Sequence, residues 1–115
     1  MSASQAHALS AIAFQLAAAL EAYEEDVATM VRAPRDPEIY HRVTKKMDEM
    51  RLYAAALPQV SVAWVEVMIR HFELTHGMWR VQKEGGADGL GELHAKLQEA
   101  VLRLSRKCVQ LMPSA

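Results

Sequence analysis

The sequence predicts an all-α protein, an up-down-up-down antiparallel four-helix bundle with helices at about 3–31, 37–57, 61–84 and 89–112. Three observations carry that expectation. Apolar residues recur at helical spacing, often every seven residues, through four long stretches. The breaks between those stretches hold Pro34, Pro37, Pro58, Gly85, Gly86 and Gly89, the residues that punctuate helices. The composition is rich in alanine, leucine, valine and methionine, while aromatic residues make up only 6%. At 115 residues the chain fits one domain spanning 1–115, long enough to bury a real core.

In the first stretch Leu9, Leu16, Tyr23 and Met30 repeat every seven residues, with Ile12, Ala13, Ala19, Leu20 and Val27 between them. Ala6, Ala8, Ala11, Ala17 and Ala18 favour helix and let a neighbour approach closely. Glu21, Glu24, Glu25 and Asp26 crowd its second half, where the helix dipole does not favour negative charge. A basic neighbour is expected opposite them. Pro34 stops this helix, Asp36 is a good N-cap, and Pro37 suits the first position of the next. The second helix presents Ile39, Val43, Met47, Met50, Ala54 and Leu57 on one face and mixed charges on the other. Pro58 disfavours helix at Leu57, and Ser61 is available as a cap for the third. Connections this short normally set successive helices antiparallel and adjacent.

The third stretch is the most apolar. At about 100° per residue it shows two seams. Val65, Ile69, Phe72, His76 and Trp79 form one, and Trp64, Val67, Met68, His71, Leu74, Met78 and Val81 form the other. Only a narrow stripe is polar, with Glu66 before Arg70 and Arg80 before Glu84 at the four-residue spacing that brings side chains together. A helix apolar over most of its circumference is covered on several sides, by other helices of its own chain or by a second copy. Gly85 to Gly89 then makes a turn with Asp88 as a cap. The last helix carries Leu90, Leu97, Leu104 and Leu111 at heptad spacing, beside Leu93, Ala100, Val101 and Cys108. Arg103, Arg106 and Lys107 suit its C-terminal end. The structural alternative is a helical hairpin completed only in a dimer.

A formal charge of −1 and a pI near 6.5 offer no broad attraction to nucleic acid or to an anionic membrane, and neither partner is expected. The single Cys108 excludes an internal disulfide and reads as a small buried hydrophobe. Ala11 to Leu20 is apolar, but no Lys or Arg precedes it and an acidic cluster follows, so it reads as mature structure and not as a signal peptide. No run approaches the roughly 20 apolar residues of a membrane span. The expected address is the cytoplasm, and no cofactor is expected.

Some residue patterns point toward chemistry. The glycine-rich turn before the last helix follows a helix instead of a strand and lacks a Lys-Ser/Thr pair, so it matches no phosphate-binding fingerprint. Glu38-Ile-Tyr-His41 and Glu73-Leu-Thr-His76 are Glu-x-x-His triplets. They resemble the triplets of ferritin-like bundles, where two of them and a Glu from each of two other helices hold a dinuclear metal centre. Here they fall on consecutive helices, and Glu38 also suits the start of its helix. The resemblance makes Glu38, His41, Glu73 and His76 the candidate metal ligands. Arg70-His71-Phe72-Glu73-Leu74-Thr75-His76 is similar to the Arg-x(4 to 6)-His motif of the HEPN family of helical ribonucleases, which also use a four-helix bundle. That resemblance implies RNA cleavage across a dimer, with Arg70 stabilising phosphate charge and His76 acting in acid-base chemistry.

The leading expectation is a non-enzymatic interaction or scaffold bundle that self-associates as a homodimer and serves an unidentified protein client. Its expected partner interface is Trp64, Met68, His71, Phe72 and Trp79 on the third helix. The HEPN-like ribonuclease using Arg70 and His76 is the alternative, and a metal-binding bundle comes third.

Overall fold

The computed structural model describes residues 2–84 and 89–112, without the side chain of Glu84. Among these residues four α-helices form, α1 (Ala3–Arg32), α2 (Pro37–Ala55), α3 (Ser61–Glu84) and α4 (Leu90–Gln110), with a 3-10 turn at Pro58–Val60 before α3. The described residues contain no strand, and the molecule is an all-α four-helix bundle. The Gly85 to Asp88 turn, the Asp88 cap and the Arg80–Glu84 pair lie outside what is described.

Local chemistry explains the boundaries. At the start of α1 the Ser2 hydroxyl accepts from the Gln5 N–H at 3.2 Å, and the Ser2 N–H donates to Gln5 Oε1 at 2.8 Å. This reciprocal capping box satisfies two backbone donors that the first turn leaves free. Asp36 caps α2 by accepting from the Glu38 N–H at 2.9 Å, with Pro37 in the first turn. α2 ends two residues earlier than its apolar pattern suggests, because Leu57 precedes Pro58 and takes an extended φ of −125°. Its side chain nevertheless remains fully buried. α4 starts at Leu90 after Gly89, whose φ of 90° is the left-handed conformation that suits glycine.

α1 packs against α2 and α4, α3 packs against α4, and α2 meets α3 only sparsely. Glu66 bonds Arg103, while Gly77 lies against Leu93 and Leu90, so α3 and α4 run in opposite directions. The Tyr23–His71 and Pro34–Gln82 hydrogen bonds share one sequence offset, so α1 and α3 run the same way. Between α2 and α3 the chain turns by 118°, short of the full reversal expected from so short a connection. The result is a slender body of 54 × 23 × 22 Å.

The core fills with the predicted seams: Leu16, Tyr23 and Met30 from α1, Val43 and Met50 from α2, and Leu97 and Leu104 from α4. The acidic half of α1 faces the basic side of α2, where Arg42 reaches Asp26 at 2.8 Å. Among the described residues no single helix is long and apolar enough to cross a membrane.

Candidate functional site

α3 has one apolar seam inside the molecule and one outside. Trp64, Val67, His71, Leu74 and Met78 are buried, with Met68 and Val81 half-buried beside them. The other seam is open, and Val62 extends it toward the N-terminus: Val62 is 83% exposed, Val65 46%, Ile69 50%, Phe72 56% and Trp79 52%. His76 lies on the same open face. From those exposures and the 150–250 Å² that a large aromatic side chain can bury, the open face amounts to roughly 500 Å² of apolar surface. This lies near the top of the range for the largest patch on a monomer, where such patches are often functional.

The expected interface therefore divides. Phe72 and Trp79 stand on the open face, but Trp64 and His71 are buried in the chain's own core and Met68 is partly so. Within the single chain Trp64 and His71 are covered by its own core, whereas Val62, Val65 and Ile69 are exposed. Two contacts orient the helix this way. Gly77 has no side chain, and a Cβ placed there would come within 2.7 Å of Leu93 Cδ1, so α4 closes on α3 at that point. Glu66 turns to Arg103 of α4 at 2.7 Å instead of pairing with Arg70 along its own helix.

Among the described residues, His71 and the Tyr23 hydroxyl bring polar atoms into the otherwise apolar core. The His71 Nδ1 lies 2.8 Å from that hydroxyl. Burial lowers the His71 pKa from 6.5 to about 4, so the ring is neutral at pH 7. Burial also pushes the Tyr23 phenol well above its usual range, with the Glu24 charge adding to the shift. Both groups are therefore neutral, and one hydrogen bond joins the Tyr23 oxygen to His71 Nδ1. A neutral pair held this way between α1 and α3 is a structural lock.

The residues behind the enzymatic expectations are engaged elsewhere. Arg70 bonds Glu73 at 2.9 Å, and that hydrogen bond, followed by the Glu73 charge, holds the guanidinium even more firmly protonated. His76 stacks on Trp79 with ring centroids 5.9 Å apart and planes 25° from parallel. No hydrogen bond joins Arg70 to His76 among the described residues. Glu38 and His41 are exposed near the start of α2, and no group of three or more His, Cys, Asp or Glu suited to a metal forms among the described residues. Cys108 is fully buried, and burial pushes its thiol up to about 11, away from nucleophilic chemistry.

The open face ends in a feature that periodicity does not reveal. A cleft of about 340 Å³ lies where Trp79, Met78 and Gln82 of α3 meet Tyr40 and the Pro34–Arg35 turn. The Gln82 side chain closes one wall by donating to the Pro34 carbonyl. Lys83 places its ammonium 5.0 Å from the Trp79 ring, within cation–π range. The chain matches no protein-family model, no curated protein and no solved structure.

Proposed function

We propose that this chain is a non-enzymatic helical-bundle interaction protein whose working surface is the open face of α3 and which associates with itself there. The observation that supports this reading is the continuous exposed row Val62, Val65, Ile69, Phe72 and Trp79, on a helix whose opposite seam already fills the core. Water contact with that much apolar surface is unfavourable by roughly 25 cal/mol per Å², which gives association its driving force. Polar groups rim the row, with Glu73 and Arg80 on one side, in the arrangement of an interface with a dry centre and a wet edge.

Native mass spectrometry and light scattering across micromolar concentrations test the reading. The expected result is a dimer that Ile69→Glu with Phe72→Glu converts to a monomer of unchanged helicity. A wild-type chain that stays monomeric at 100 µM (about the weak end of useful self-association, on the order of 5–6 kcal/mol) would remove it. RNA cleavage in vitro that disappears in both Arg70→Ala and His76→Ala would replace it with the ribonuclease.

A further inference from the structure

The open face of α3 has a symmetry of its own. In order it reads Val62, Val65, Ile69, Phe72, His76, Trp79, with β-branched aliphatic residues in the first half and rings in the second. The spacing is the same read in either direction. A two-fold axis crossing the helix between Arg70 and His71 would set Val62 against Trp79, Val65 against His76 and Ile69 against Phe72 of a second copy. Each pair joins one slim side chain to one broad ring.

We infer that the occupant of this face is a second copy of the same chain, with the two α3 helices antiparallel about that axis. The inference rests on the self-association reading above and adds the partner's orientation and register. Antiparallel packing keeps the spacing between the two helices even, because every thin position meets a thick one. Parallel packing would stack Trp79 on Trp79 and Phe72 on Phe72 at one end while leaving Val62 facing Val62 across a gap at the other. The three- and four-residue steps are those of helices that pack at a shallow angle, with side chains of one filling spaces on the other. A two-fold contact uses the same patch twice, so the roughly 500 Å² on each copy becomes roughly 1,000 Å² in all before the polar rim is counted. That meets the threshold of about 1,000 Å² for a specific interface with good complementarity.

Cysteine pairs test the register on the full chain. Val62→Cys and Trp79→Cys proteins, mixed in equal amounts and mildly oxidised, are expected to give a crosslinked heterodimer, while each alone gives none. In the antiparallel arrangement two copies of residue 62 are separated by 17 positions, roughly 26 Å along the axis at 1.5 Å per residue. Val65→Cys mixed with His76→Cys repeats the test with the tryptophan retained, and the wild type, whose one thiol is buried, is the control. Circular dichroism checks that each variant is folded. Crosslinking of Val62→Cys to itself would overturn the antiparallel register in favour of a parallel one. A dimer that crosslinks in neither way would overturn this inference and leave self-association standing. A monomer would overturn both.

Discussion

Tyr23 and His71 couple two helices that hardly touch otherwise, and each needs the other. Replacing His71 by Leu leaves the Tyr23 hydroxyl buried without a partner, a loss expected to be about 1–3 kcal/mol in urea unfolding at pH 7. Combining it with Tyr23→Phe removes both polar atoms, and the double variant is expected to regain at least half of that stability. If the double variant is as unstable as the sum of the two single ones, the pair is not coupled as the geometry implies. The same histidine makes stability depend on acid. Its folded pKa of about 4 lies below the ordinary 6.5, so the unfolded chain takes up a proton that the folded chain refuses. The contribution is fully present above pH 6.5, falls as the pH drops toward 4, and levels off there with up to about 3 kcal/mol lost. Unfolding free energies at pH 7 and pH 4.5 should show that decline, and it should be smaller in the double variant, which carries no ionisable group at this place.

At the scale of the helices, caps and close approaches set the boundaries. Asp36→Ala removes the oxygen that receives the Glu38 N–H, and a loss of about 1 kcal/mol in thermal or urea unfolding is expected. Gly77→Ala sets two effects against each other. Alanine favours helix over glycine by about 1 kcal/mol, while its methyl meets Leu93 Cδ1 at 2.7 Å and Leu90 Cδ2 at 3.4 Å. Both atoms are ends of flexible side chains, so the change should stay within about 0.5 kcal/mol, whereas Gly77→Leu should cost about 2 kcal/mol by forcing α3 and α4 apart. The helices themselves were legible in the sequence because their signals are local. The Asp36-Pro37 start fell where expected, and the Leu97, Leu104 and Cys108 row of α4 is buried as its spacing implied. Pro58 shortened α2, since its effect on Leu57 outweighed the apolar pattern there. The orientation of α3 was not legible. Both of its seams are apolar, and periodicity measures the width of an apolar arc without saying which side meets the core. Trp64 and Trp79 carry equal hydrophobic weight in the sequence, yet only contacts from distant positions, Arg103 to Glu66 and Tyr23 to His71, put one inside and the other outside.

For the whole molecule, the open face matters more than any buried contact. Ile69→Glu with Phe72→Glu places two carboxylates in the middle of the proposed contact, and dissociation of the dimer should become at least about 100-fold easier, or roughly 3 kcal/mol. The isolated monomer should hardly notice, because both side chains are about half exposed there. Loss of helicity in that variant would mean that the face supports the fold itself. The placement of the two tryptophans also gives the molecule an optical signature. Trp64 lies in a dry core, while Trp79 stands in water between a stacked histidine and a lysine ammonium. Unfolding should move the emission of Trp64 to longer wavelength, and pairing of two copies should move that of Trp79 to shorter wavelength. A Trp64→Phe chain diluted through its dissociation range would report association by colour alone, with no label attached.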